Sequence, residues 1–164
     1  MRLVECLVET DDVDGFVGDL GAIGDRHGAT VQAFDARYVV GRAHLERALA
    51  CADRARERGE GIARERGVEV LLYAAGRRQI DRALTMGIGA GRTPAVVLVD
   101  GGDEAAAADA VRALPATEPA STLGEYDPDR VREFFGVSDA ELAAADGDLA
   151  ALVGERVALL AVDR

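Results

Sequence analysis

The chain has 164 residues, 49% of them hydrophobic but only 4% aromatic, with no Trp. That excludes a disordered chain and fits one domain, spanning 1–164, whose core rests on Leu, Val, Ile and Ala. Thirty acids face 19 bases for a formal net charge of −11, and every base is Arg. The absence of Lys excludes a phosphate loop of the G-x-x-x-x-G-K-[ST] type.

An Asp, Glu and Ala surface without Lys reads as adaptation to concentrated salt, which screens self-repulsion. The codon bias of a GC-rich genome is the alternative source of the same composition. Cys6 and Cys51 are the only cysteines, and both fall in apolar surroundings that predict buried free thiols, with a disulfide between them as the alternative. No leader and no run of transmembrane length is read, so a cytoplasmic protein is expected.

Residues 2–9 alternate and predict a strand, with Leu3, Cys6 and Leu7 apolar among Arg2, Glu5 and Glu9. Over 11–25, Phe16, Leu20 and Ile23 recur at near-helical spacing. Gly15, Gly18, Gly21 and Gly24 interrupt them and predict a weak helix. Residues 29–34 predict a second strand. Residues 41–59 predict a clear helix, with Leu45, Ala48, Leu49, Ala52 and Ala55 as its apolar stripe. A helical turn is expected over 61–66.

The run VEVLLYA, 68–74, predicts a strand apolar enough to be central, ended by Gly76. A helix over 77–86 is expected to bury Ile80, Ala83 and Leu84. After a glycine-rich loop, PAVVLVD at 94–100 predicts another strand. Asp103 and Glu104 open a helix that runs to about Leu114, where the dipole favours acids. Residues 115–128 predict a loop long enough to be either mobile or functional. A short helix follows over 129–135, then Ser138 and Glu141 form a capping box ahead of Leu142 and Ala145. ERVALLAVD, 155–163, closes the chain as a strand. The fold class is α/β: a single domain with a central, mostly antiparallel or mixed sheet of about five strands flanked by helices.

No catalytic constellation emerges. The glycines at 15, 18, 21 and 24 do not match a dinucleotide fingerprint, and no cofactor is expected. His27 and His44 stand too far apart in sequence to suggest a metal site. Ser138 is explained as a cap and no Ser sits in a nucleophile elbow. The feature that breaks the acidic background is Arg77 and Arg78, with Arg82 on the same helical side. If Arg54, Arg56, Arg58, Arg64 and Arg66 lie nearby, a local positive patch results. The alternative is ordinary arginines on amphipathic helices, paired with Glu57, Glu60, Glu65 and Asp81.

The stretch LLYAAGRRQIDRAL, 71–84, resembles the signature of the kinase-binding regulatory subunit of the KEOPS complex, whose eukaryotic relatives are the PRPK-binding proteins. Ala75 stands where the family usually has a small hydroxyl residue. GRAHLERAL at 41–49, GIARERGVEVLL at 61–72, VSDAEL at 137–142 and ERVALLAVDR at 155–164 resemble further stretches of the family in the same order. With its composition, the chain is similar to a haloarchaeal-type member.

The resemblance implies a role without a reaction. The complex makes threonylcarbamoyladenosine in tRNA, and this subunit binds the small kinase-like ATPase subunit, which in archaea is sometimes fused to the catalytic one. It also implies recruitment of tRNA through its single-stranded 3′ CCA end, with no DNA or membrane involved. The residues expected to meet RNA are Arg77, Arg78 and Arg82, more weakly Arg64, and the backbone at Gly76. Those expected to meet the kinase are Val131, Phe134, Phe135 and Leu142, each of which fits the protein's own core equally well. A stand-alone RNA-binding protein and a small-molecule enzyme with an acidic site are the competing readings.

Overall fold

The structure, a computed structural model, describes residues 1–162. Four strands form one sheet: β1 (Arg2–Thr10), β2 (Thr30–Asp35), β3 (Gly91–Asp100) and β4 (Thr117–Pro119), in the order β2-β3-β1-β4. Every neighbouring pair is antiparallel. Val97 on β3 faces Val4 of β1 on one side and Ala33 of β2 on the other.

The two-residue period of the strands sorts the core into two layers. Val4, Cys6, Val8, Ala33, Ala95, Val97 and Val99 point to one face. There they meet Phe16, Leu20 and Ile23 of α1 (Val13–His27) and Ala107 and Val111 of α5 (Glu104–Arg112). Phe34, Val96 and Leu98 point to the other face. That side carries α2 (Arg42–Glu57), α3 (Arg66–Ala75), α6 (Pro128–Phe135) and α8 (Leu149–Val162). Leu45, Ala48 and Ala52 line the inner side of α2, where alanine lets α3 and α8 pack close. Cys6 and Cys51 are buried free thiols, and burial pushes the Cys6 thiol up to about 11.

Local chemistry sets the helix ends. Asp12 caps α1 by accepting from the Gly15 amide at 3.0 Å, and burial of Phe16, Leu20 and Ile23 outweighs its four glycines. One of these, Gly24, is required: a Cβ there would stand 2.6 Å from the Ala29 carbonyl oxygen. Pro128 opens α6 under an Asp127 cap. The capping box of Ser138 and Glu141 forms as expected and starts α7 (Asp139–Ala144).

Two expected strands are helices. VEVLLYA lies in α3, and 155–162 lies in α8; residue 163 of the expected closing strand is outside the described residues. Seven residues of α3, Glu69 to Ala75, are buried, so the run lacks the polar face that marks a helix in sequence. The sheet therefore has four strands, the fourth being a short pairing of 117–119 inside the expected loop. The expected helix over 77–86 contracts to α4 (Ile80–Ala83) and a 3₁₀ turn, Leu84–Met86. No helical turn occupies 61–65; this segment bends directly into α3.

Candidate functional site

The Gly76 junction is built as the end of a helix, not its beginning. Gly76 adopts φ +62° as the left-handed cap of α3. Its N–H donates to the Tyr73 carbonyl at 3.1 Å and the Arg77 N–H to the Leu72 carbonyl at 3.0 Å. The amides expected to face a phosphate thus satisfy the helix end, where the dipole is negative. Tyr73 is buried in the core.

Arg77 is committed to the protein as well. Its Nη2 donates to the Phe134 carbonyl, and its guanidinium lies 4.8 Å from the Phe134 ring centroid. Arg156 adds Nε to the Phe135 carbonyl and Nη2 to the Gly136 carbonyl, both at 3.1 Å, and pairs with Glu141 at 2.8 Å. Two guanidinium groups therefore donate to three consecutive carbonyls at the C-terminal end of α6. Arg77 fastens the segment after α3 to α6, a role its sequence position alone does not disclose.

Arg78, Arg82 and Arg64 are exposed. Arg78 and Arg82 do not form one patch with the Arg54–Arg66 segment, to which Arg64 belongs. Arg64 precedes α3 and Arg78 follows it, so ten residues of helix, about 15 Å of rise, separate them. Arg66 is spoken for: it pairs with Asp53 at 2.8 Å and with Asp100 at 2.7 Å. Arg56 donates to the Ala63 and Arg64 carbonyls. The fully buried Glu69 accepts from the Ile62 amide at 3.0 Å and the Ala63 amide at 2.6 Å. These bonds fix the loop that presents Arg64.

Between the two arginine-bearing segments runs an open groove of about 670 Å³. One wall is residues 65–68, directly after Arg64; another is α4 with the turn after it, which carries Arg82; α1 and the outer edge of β2 complete it. Val17, Ile80 and Leu84 line the groove and are 54%, 48% and 57% exposed. Ile80 and Leu84 were expected in the core. The helix is too short to turn both inward, and only Ala83 and Met86 reach the interior.

The expected partner residues divide. Val131 and Phe135 are buried in the core, so they support the surface rather than form it. Phe134 and Leu142 are partly exposed. Phe134 stacks edge-on with Tyr38 at 5.5 Å and with Phe135 at 5.0 Å, and Phe135 meets His44 at 5.9 Å. His44 is buried and neutral: its Nε2–H donates to the Ala74 carbonyl at 2.8 Å and its Nδ1 accepts from the Val40 amide. Burial lowers its pKa to about 4. Leu159 and Val162, exposed on α8, were not singled out in the sequence because that segment reads as a strand. Val17 and Gln32 in the groove were also missed, since no local pattern joins α1 to the β2 edge.

No curated protein matches the chain. The family model described as Kinase binding protein CGI-121 matches residues 22–161. That span takes in the arginine junction, most of the groove, and α6 to α8 up to residue 161. With most of its length matched, the chain belongs to the kinase-binding CGI-121 family.

Proposed function

We propose that this chain is a non-catalytic regulatory subunit of a KEOPS complex in a halophilic archaeon. It binds the small kinase-like ATPase subunit and holds the 3′ CCA end of the tRNA that receives threonylcarbamoyladenosine. The observation that carries the RNA part is the groove. Three of the five exposed large hydrophobic side chains among the described residues, Val17, Ile80 and Leu84, line it. Apolar side chains at that exposure suit unstacked bases. Arg64 and Arg82 stand on segments at two of its walls, where phosphates of a short single strand can be met. Arg78 is the remaining cation of this reading, and Arg77 acts through α6.

The kinase side is supported by the half-buried Phe134 and Leu142 and by Leu159 and Val162, 55% and 78% exposed on α8. An exposed apolar helix face of this kind suits a protein partner. With a net charge of −11, general attraction for RNA is weak, and concentrated salt weakens it further. Stacking and hydrogen bonds therefore carry the RNA contact.

The test is tRNA binding in concentrated salt, with and without the CCA end, by the wild-type chain and by Arg78→Ala/Arg82→Ala. Loss of affinity on trimming the end, and on the double substitution, is expected. Equal binding of trimmed and intact tRNA would remove end recognition. Unchanged affinity in the double variant would remove the site.

A further inference from the structure

The acids around the groove look hostile to RNA, yet they share a chemistry with its floor. Asp14, Asp25 and Glu65 line it, and each presents only acceptors when ionised. The polar side chains of β2 that line the groove are Thr30 and Gln32. The Thr30 hydroxyl accepts from Arg66 Nη1 at 3.1 Å. Gln32 Nε2 donates to the Ala33 carbonyl at 3.1 Å. The amide nitrogen is thereby held by the strand, and Oε1 is left as an acceptor that no donor meets among the described residues. Gly67 keeps that oxygen uncovered: a Cβ at Gly67 would stand 3.2 Å from it.

A half-buried acceptor in an apolar groove selects for a donor, because a second acceptor set against it is repelled and left unpaired. Among the bases, cytosine and adenine carry an exocyclic amino group where uracil and guanine carry a carbonyl oxygen. Carboxylates at the rim favour the same amino groups and turn phosphates away, toward the arginines on the flanking segments.

We infer that Gln32 is the specificity-determining residue of the groove, its Oε1 accepting from the exocyclic amine of a cytosine or adenine in the single-stranded RNA end. This rests on the RNA reading of the groove given above. The acidic rim then restricts which bases enter, and does not conflict with binding RNA.

The measurement is fluorescence anisotropy in concentrated KCl, with the full chain and two tRNA transcripts, one ending CCA and one ending UUG, in which a carbonyl oxygen replaces each of the three amino groups. The wild type is expected to bind the UUG transcript about tenfold more weakly, the range for one base-edge contact. Gln32→Leu should bind both transcripts alike, at the weaker affinity. Gln32→Glu keeps an acceptor and should keep the preference, which separates recognition from damage to β2; thermal melting checks that both variants are folded. Equal binding of the two transcripts by the wild type, or an undiminished preference in Gln32→Leu, overturns the assignment while leaving end recognition standing. Failure of the wild type to bind either transcript overturns the RNA reading itself.

Discussion

Replacing Arg77 with Ala tests whether the first arginine of the signature pair is a contact for RNA or a fastening of the fold. The substitution removes the bond to the Phe134 carbonyl and the guanidinium from the Phe134 ring. A hydrogen bond from a charged donor contributes about 1.5–3 kcal/mol, and a cation over a ring about 0.5–1 kcal/mol at an exposed site. Arg77 is half-buried, so solvent trims both. A loss of about 2 kcal/mol is expected, which in a domain of this size lowers Tm by about 4–8 °C. Arg77→Lys keeps the charge but not the planar group and should fall between. Arg82→Ala, on the exposed side of α4, should change stability by no more than about 0.5 kcal/mol. Thermal melting monitored by circular dichroism in concentrated salt reads all three. A Tm for Arg77→Ala within about 1 °C of the wild type, together with lost tRNA binding, would refute the fastening role and restore Arg77 to the RNA contact.

Three further outcomes follow from the packing. His44 stays neutral in the fold down to about pH 4 while the unfolded chain protonates near 6.5. Its contribution is complete above pH 6.5 and is lost as pH falls toward 4, by about 3 kcal/mol in total; His44→Gln should flatten the denaturation profile over pH 6.5 to 5. Glu69→Gln leaves the Ile62 and Ala63 amides a weaker acceptor in the interior and should cost about 1–3 kcal/mol. Arg-specific proteolysis should then cut faster at Arg58 and Arg64. Gly76→Ala meets both the left-handed backbone and the Arg156 carbonyl oxygen at 3.4 Å and should cost about 1–2 kcal/mol by denaturant unfolding; a neutral result would mean that the cap has relaxed.

The sheet's long strands were legible because half-buried antiparallel strands alternate, as 2–9 and 29–34 do. The run 94–100 was legible for another reason: it is continuous, β-branched and bounded by turn residues. VEVLLYA has the same length and apolarity, but its only acid, Glu69, is itself buried as an anchor for the preceding loop. Nothing local marked it as helical. Its last residue Ala74 and the Ala75 that follows, ahead of a glycine and two arginines, were the available sign of a helix C-terminus.

That one reversal carried into the site. With a strand before it, Gly76 looked like the start of a helix able to hold phosphate; with α3 before it, Gly76 is a cap whose amides are used. α8 was missed for a related reason: Gly154, Glu155 and Arg156 interrupt the apolar residues of the 14-residue helix from 149 to 162 and leave a strand-sized remainder. Arg78, Arg82 and Arg64 did fall on the surface, but the groove between their segments depends on tertiary placement of α1 against the β2 edge. The sequence holds no spacing that reports it.

The kinase partner tests the account most directly. The chain and the purified kinase-like ATPase of the same organism should co-elute as one species in concentrated salt. Leu159→Glu on the exposed face of α8 should release the ATPase while leaving the fold's melting temperature in place. Separate elution of the two wild-type proteins across salt concentrations would contradict the proposed role at its root.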